Sequence, residues 1–541
     1  TMTGADWLLD ALAAEGVHHL FGNPGSTELP IIDALGRQDS VEYVLCLHEA
    51  AALGIADGYA QAAGGLAAVN VHVQPGAANA LSGILNARRA RVPLLVTVGQ
   101  QVTELLSHAP FLGGEIVELV APLAKGAWEP TSHAELGRDF RAAVRCALTP
   151  PYGPAVLSIP LDVQAGPAPP AHLPGPRPRA SAPDPYALDR AAALLRSARR
   201  PAVLAGDEVV HARAERELAE LAEWLDAPVL GEPYGARAPL RTDHPLWGGP
   251  LPGFAAEIQP MLEPYDVLLA VGMPVFRLFG PSPGSPLGTE QQLIHLDVDP
   301  EEIGRSHRPD VGIVGDPRAG LAGLALRLDA VPGDAPEPTQ NVQEPATGDQ
   351  ITPAVLAGAV AEVVEPEDIV VDEALTAGRS LRRALAPRDA GSWFAHRGSA
   401  LGWGLPAAIG VAMAKPDRRV MVVHGDGSLL FGLPALWTAA NRLQPLAMVV
   451  ADNRGYEILR AGLEGMTGSA EGPWPGLALT EPPVDLVALC RGFGADVRTA
   501  ESADALRREL AGIWHRATDG PAVVIARVEG RTAPVGYPLG A

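Results

Sequence analysis

The clearest hydrophobic pattern lies at residues 419–460, RVMVVHGDGSLLFGLPALWTAANRLQPLAMVVADNRGYEILR. Its apolar run, Val420 to Val423, is short enough for one buried strand. Gly425, Asp426, Gly427 and Ser428 follow, and a helical pattern runs from about Leu433 to Arg442, with Leu436, Ala439 and Ala440 on one face. Pro445 stands beyond that helix, and Leu446 to Ala451 forms a second apolar run closed by Asp452 and Asn453. Strand, helix and strand make a βαβ unit, whose crossover is expected to be right-handed with the strands parallel. Asp426 and Asn453 then stand at the carboxyl ends of nearby strands, the edge where ligands of open α/β sheets bind.

The same alternation recurs along the chain. The first segment predicts a helix over Ala5 to Ala14, then strands at His18 to Phe21, Tyr43 to Leu47, Ala67 to Val73 and Pro93 to Val98. It closes with a helix near 134–148 and a strand at Ala155 to Ile159. HEAAALGIADGYAQA at 48–62 is read as a helix, and another begins near Gly76. The middle segment shows strands at Ala202–Ala205, Val267–Val271 and Leu293–Val298. Residues 163–185 and 330–352 are rich in proline and small residues and are expected to be extended linkers. The expected class is α/β, with three doubly wound parallel-sheet domains at residues 1–165, 186–330 and 350–541.

Composition narrows the partners. Lys and Arg number 41 against 63 Asp and Glu, a net charge of −22, which argues against nucleic acid and anionic membrane surfaces. No apolar run reaches membrane length, and no charged-then-apolar leader opens the sequence. Three cysteines, Cys46, Cys146 and Cys490, supply neither a disulfide framework nor metal-ligand spacing. A soluble cytoplasmic protein is expected.

Four stretches carry candidate chemistry. Gly425 and Gly427 let backbone approach a phosphate, and the following helix start favours an anion. Asp426 and Asn453 offer the hard oxygen ligands that suit Mg²⁺ or Ca²⁺. Glu49 sits in the first turn of a helix, where the dipole alone favours an acid. Its apolar surroundings, Leu45, Leu47 and Ala50 to Leu53, are also those in which a carboxyl holds its proton more tightly. Ser26 or Thr27 fits a helix cap after the turn Gly22, Asn23, Pro24, Gly25. His72, between Val71 and Val73, fits a structural strand histidine.

GDGS followed by Asn453, with SALGWGLPAAIG at 399–410, resembles the signature of thiamine-diphosphate (ThDP) enzymes. FGNPGSTELP, GIADGYAQA, NVHVQPGAANAL and VTVGQQ are similar to the benzoylformate decarboxylase branch, a group of 2-oxo acid decarboxylases. The resemblance implies that Asp426, Asn453 and the Gly455 carbonyl hold the metal, Mg²⁺ or Ca²⁺, beneath the ThDP diphosphate. It further implies a cofactor site built from Asn23, Pro24, Gly25, Glu49, Thr376, Leu401, Gly425, Gly427, Ser428, Tyr456, Glu457 and Ile458. Leu401 would support the cofactor's bent shape and Glu49 would bond its aminopyrimidine ring. Ser26 and His72 would orient substrate and move protons. Sites of this family lie between two chains, so a homodimer or a two-fold tetramer is expected.

The sequence also departs from that branch. Its second active-site histidine falls on Phe279, which carries no proton. His396 is a candidate replacement, and Arg397 beside it a candidate partner for a substrate carboxylate. Leu375 and Ile458 stand where smaller or more polar pocket residues are expected. The middle segment lacks GxGxxG after a strand, although acetolactate synthase relatives bind FAD there. The expected activity is Mg²⁺-dependent decarboxylation of an aromatic 2-oxo acid, releasing CO2 and an aldehyde. The alternatives are a carboligase or lyase of the acetolactate synthase, benzaldehyde lyase or 2-hydroxyacyl-CoA lyase kind. A non-catalytic ThDP-binding relative would have lost Glu49 or the metal pair, and all three residues are present.

Overall fold

Apolar runs too short for helices and separated by amphipathic stretches fold here into parallel sheets covered by helices, as buried strands require. The computed structural model describes residues 2–331, 333, 337, 348–385, 388–469 and 471–529. Three α/β bodies follow one another, each on a six-stranded sheet whose strand pairs are all parallel. In the first the order is Glu42–Leu45, His19–Gly22, Ala67–Val71, Leu94–Gln100, Pro154–Pro160, Gly126–Trp128. The third repeats that order with Trp393–Ala395, Ile369–Glu373, Val420–Gly425, Leu446–Asp452, Pro521–Arg527 and Asp496–Ala500. The central sheet differs. Its order, Val311–Val314, Gln292–Asp297, Val267–Val271, Pro201–Ala205, Val229–Gly231, Trp247–Pro250, reverses between Pro201–Ala205 and Val267–Val271, which makes the crevice of a doubly wound fold.

Several local expectations need correction. The strand ending before His72 stops at Val71, and His72 caps the helix Val73–Ala90, which starts three residues ahead of Gly76. Pro75 fits that first turn because its missing N–H would be unpaired there anyway. Ser26 does not cap a helix. It opens the 3-10 turn Ser26–Glu28 behind Gly25, and no side-chain cap bond forms. The helix after GDGS begins at once, Asp426–Gly432, and Pro434 separates it from Ala435–Asn441. The tract at 163–185 is not a free linker: helix Leu161–Ala165 enters it, Trp7 Nε1 donates to the Pro170 carbonyl at 2.9 Å, and His172 Nε2 lies 2.7 Å from Glu15 Oε1. Most of 330–352 lies outside the described residues. Among the described residues no helix is long and apolar enough to cross a membrane.

The first and third bodies meet along helices Glu49–Ala63 and Gly404–Ala414. One apolar core, including Leu53, Ile55, Leu405 and Ile409, runs unbroken between the two bodies. Glycines let the helices touch backbone to backbone. A Cβ on Gly58 would overlap the Ala407 carbonyl, one on Gly410 would overlap that of Ile55, and one on Gly54 would stand 2.6 Å from Pro406 Cβ. Trp403 Nε1 donates to Asp57 Oδ1 at 3.1 Å across this seam. Two arginines help to hold the central body, beside hydrogen bonds such as that from the Ala395 N–H to the Ala236 carbonyl at 2.9 Å. Arg91, from the first body, reaches Glu208 and Asp297 at 3.2 Å and Asp299 at 3.4 Å. Arg397, from the third, pairs with Asp207 at 2.8 Å and Glu232 at 2.7 Å, all of them buried. Burial alone would raise the Glu208 carboxyl, but Arg91 and His211 outweigh it and hold it down at about 2.

Gly58→Ala and Gly410→Ala should each lower stability by roughly 3 kcal/mol or more, because only backbone movement relieves the overlap. Gly65→Ala, where a Cβ meets nothing within 4 Å, should unfold in urea close to the unaltered protein.

Asp57 gives a pH signature. Burial pushes its carboxyl from 3.8 up to about 6, and bonds from Gln61 and Trp403 offset only part of that. A folded pKa above the unfolded one makes this group's contribution fully favourable below about pH 4 and removes it as pH rises through about 6. The shift corresponds to roughly 3 kcal/mol. Asp57→Asn should therefore raise the melting temperature relative to wild type near pH 8, with the advantage gone near pH 4.

Candidate active site

Three neighbouring strands of the first sheet deliver one cluster. Strand His19–Gly22 pairs with Glu42–Leu45 on one side and Ala67–Val71 on the other, so Asn23, Glu49 and His72 all follow the same sheet edge. His72 Nδ1 lies 2.8 Å from Glu28 Oε2 and 3.2 Å from Thr27 Oγ1. A carboxylate only accepts, so the Nδ1–H donates to Glu28 and Nε2 is the ring nitrogen left outside that bond. Glu28 is fully buried and also accepts from the Gly25 N–H at 2.8 Å. Gly25 must be glycine, since a Cβ would overlap the His72 ring. Ser26 is exposed beside them. Asn23 Nδ2 donates to the Cys46 carbonyl at 3.1 Å. Glu49 is the first residue of its helix, and Oε2 accepts from Asn79 Nδ2 at 3.0 Å. The apolar shelter expected around Glu49 is partly open in the single chain: Leu45 is 39% exposed and Leu47 41%.

The corresponding edge of the third sheet carries the second cluster. Asp426 and Asn453 follow the adjacent strands Val420–Gly425 and Leu446–Asp452. The Gly455 N–H lies 3.1 Å from both Asp426 Oδ2 and Asn453 Oδ1. Residues 454–456 are fixed by a facing segment: Tyr456 N–H donates to Leu477 O, and Leu479 N–H to Arg454 O, each at 2.9 Å. Gly427 is required because a Cβ would stand 2.6 Å from Tyr456 Cε1. Asp426 is only 3% exposed, and burial, with Asp452 nearby, pushes its carboxyl up to about 6. Among the described residues no Lys, Arg or His pairs with it. A buried carboxylate without a counter-charge, an amide oxygen and a carbonyl make a hard-oxygen donor set, and Mg²⁺ or Ca²⁺ fits it.

Behind this cluster lies a buried network. His424 Nδ1 is 2.9 Å from Ser428 Oγ, and its Nε2 is 3.1 Å from Glu373 Oε2, an ion-pair distance off the line of a good hydrogen bond. Glu373 accepts from the Gly402 N–H at 2.7 Å and from the Gly404 N–H. Burial would raise the Glu373 carboxyl, but His424, with His396 and the Gly404 N–H, holds it below the usual carboxylate range. Glu373 thereby ties the turn bearing Leu401 to the strand leading into Asp426. Gly402, at φ +86°, packs against Phe431 and Gly432 where a side chain has no room.

A cleft of about 950 Å³ opens between the central and third bodies, lined by Tyr234, Trp247, Leu251, Glu373, Leu375 and His396 among others. Phe279 packs on Tyr234 and Phe254, with ring centroids 6.0 and 5.7 Å apart. Thr376, Glu457 and Ile458 are half-buried near these strand ends. Arg397 does not face a substrate: both its ion-pair distances go to Asp207 and Glu232.

Three thiamine pyrophosphate enzyme family models match in order: the N-terminal TPP binding domain over residues 2–116, the central domain over 188–324 and the C-terminal TPP binding domain over 377–526. The chain belongs to the thiamine pyrophosphate enzyme family. It is 33% identical to a benzoylformate decarboxylase of Pseudomonas aeruginosa over 97% of this chain and 98% of that protein. It is also 31% identical to a probable acetolactate synthase large subunit of Methanocaldococcus jannaschii, over 94% of this chain and 89% of the relative. Among solved structures it resembles a ThDP-dependent 4-hydroxybenzoylformate decarboxylase of Rhodococcus jostii, with TM-score 0.89 and 32% identity over 97% and 99% of the two chains. A benzoylformate decarboxylase of Polynucleobacter necessarius gives TM-score 0.91 at 26% identity, over 99% and 100%.

This ThDP enzyme thus gathers Asn23, Ser26, Glu49 and His72 at one edge and Leu401, Gly425, Asp426, Ser428, Asn453 and Gly455 at another. Among the described residues no hydrogen bond or ion pair joins the two groups. Sequence reading passed over Glu28, Glu373 and His424. Glu28 was visible only as an acid in GSTELP, and the other two lie inside apolar strands, where no spacing rule marks them. Glu373→Gln should weaken ThDP retention at least about tenfold by equilibrium dialysis, since an amide offers one acceptor oxygen to two N–H donors. Unchanged retention would show that the Leu401 turn does not depend on this carboxylate.

Proposed function

We propose that this chain is a ThDP- and Mg²⁺-dependent, cytoplasmic 2-oxo acid decarboxylase acting on aromatic substrates of the benzoylformate kind. The observation that carries the reading is the uncompensated Asp426 carboxylate beside Asn453 and Gly455, matched by Glu49, Ser26 and His72 on the other sheet. The relatives named above support the reaction class. Asp426, Asn453 and the Gly455 carbonyl would hold the metal, and the open backbone at Gly425 and Gly427 the diphosphate. ThDP, when bound, supplies an electron sink that lets a 2-oxo acid lose CO2.

The chain's own residues do the rest. Glu49 holds a proton against the cofactor's aminopyrimidine ring. His72, fixed through Nδ1 by Glu28, offers Nε2 for proton transfer, and Ser26 orients the substrate carboxylate. His396, in the cleft beside Leu375, takes the place of the proton carrier that Phe279 cannot be. The half-sites sit on separate edges, and exposed Leu45, Leu47, Phe431 and Leu459 surround them. Both features support a two-fold dimer, alone or within a tetramer, in which one chain's Glu49 faces its partner's metal site. The roomy cleft and the acetolactate synthase relative favour a second reading, in which the reacting carbon is passed to another carbonyl to give a 2-hydroxy ketone.

Assays with ThDP and Mg²⁺ on phenylglyoxylate, its 4-hydroxy form, pyruvate and branched-chain 2-oxo acids test the reading. CO2 release from an aromatic acid is expected. Glu49→Gln should cut turnover at least about a hundredfold while folding and ThDP retention persist, and Asp426→Asn should abolish Mg²⁺-dependent retention. Unchanged turnover in Glu49→Gln, or no release from any acid, would overturn it.

A further inference from the structure

The cleft beside His396 has an unusual charge balance for so acidic a protein. Helix Gly378–Ala384 borders it and contains Arg379, Arg382 and Arg383 with no acidic residue among them. Arg379 and Arg383 are one helical turn apart and so share a face. Arg382 is committed: its Nε lies 3.7 Å from Asp372 Oδ2, and its guanidinium carbon lies 5.5 Å from the Trp393 ring centroid. Arg379 and Arg383 have no hydrogen-bond or ion-pair partner among the described residues, although the chain holds 63 acids to 41 bases.

The acids lining the same cleft are accounted for. Asp372 faces Arg382, and Glu373 is held by Gly402, Gly404 and His424. Only the exposed Glu257 remains. The uncommitted charge on these walls is therefore positive, two arginines against one glutamate. It lies in one cavity with His396, the proposed proton carrier, and Leu375 beside it. The cavity, of about 950 Å³ in the single chain, extends from these residues to both arginines. Arginine's planar fork matches a carboxylate in two hydrogen bonds.

We propose that Arg379 and Arg383 form a subsite for a second carboxylate, at the end of the substrate remote from the ketone, so that the preferred substrates are 2-oxo dicarboxylates. This rests on the decarboxylase reading and deepens it. Trp247 and Tyr234 on the opposite walls accommodate the carbon frame between the two charged ends.

Two matched probe pairs test it: 2-oxoglutarate against 2-oxohexanoate, and 4-carboxyphenylglyoxylate against phenylglyoxylate. Binding to the full-length ThDP–Mg²⁺ protein is measured by calorimetry at low and high salt, and kcat/KM is measured beside it. In at least one pair the dicarboxylate should bind roughly tenfold tighter or more, as one charge-assisted pair provides. In Arg379→Gln/Arg383→Gln that preference should vanish, with kcat/KM for the monocarboxylate within twofold of wild type, and high salt should weaken it. Equal binding within both pairs, or a preference that survives the double substitution, overturns the proposal. The two readings fail separately. Turnover of monocarboxylates without dicarboxylate preference sinks the subsite alone. Arginine-dependent dicarboxylate binding without CO2 release from any acid sinks the decarboxylase reading and leaves the subsite standing.

Discussion

The structure depends on one contact, the crossing of helices Glu49–Ala63 and Gly404–Ala414 at Gly54, Gly58 and Gly410. Two helices meet this closely only where side chains are missing, because a Cβ on Gly58 or Gly410 would occupy the space of a carbonyl oxygen. The contact fuses the cores of two sheets with identical strand order. It also fixes both functional edges at once. Glu49 is the first residue of one helix, and the Leu401 turn leads directly into the other. A change at the seam would be felt at both edges.

The central body is attached by ion pairs and hydrogen bonds rather than by shared core. Its apolar clusters are its own, and the buried pairs of Arg91 and Arg397 tie it to its neighbours. Such pairs add little net stability once desolvation is counted, but removing one partner leaves a buried charge uncompensated. They serve as registration pins. Asp207 and Glu208 follow the strand at the crevice of this sheet, so the arginines occupy the edge where a doubly wound domain usually takes a ligand. The same docking sets the cleft in which Leu375, His396 and the arginine helix face the central body's aromatic residues.

Much of the fold was legible because buried parallel strands are short apolar runs. Val267–Val271 matched its expected limits residue for residue, and the other strands expected from the sequence differed by one to three residues, whereas eight strands, Ile369–Glu373 and Pro521–Arg527 among them, were not expected. The misreadings share a cause. His72, Ser26 and the start of the helix at Asp426 sit where a strand hands over to a helix, and hydrophobic period says little over two or three residues. The geometry there is set by backbone: a 3-10 turn at Ser26 and a proline break at Pro434.

The sequence by itself determined the three-sheet α/β class and the residue types at both functional edges, because these reside in local apolar runs and in motifs such as GNPGS and GDGS. Tertiary structure alone decided the partners. Arg397 reads as a substrate ligand beside His396, yet two acids more than 160 residues away hold it. Glu28 orients His72 across 44 positions, and Glu373 and His424 meet from strands about 50 apart. A charged side chain takes whichever opposite charge the fold brings within reach, and that choice depends on through-space distance, which neither composition nor spacing along the chain encodes.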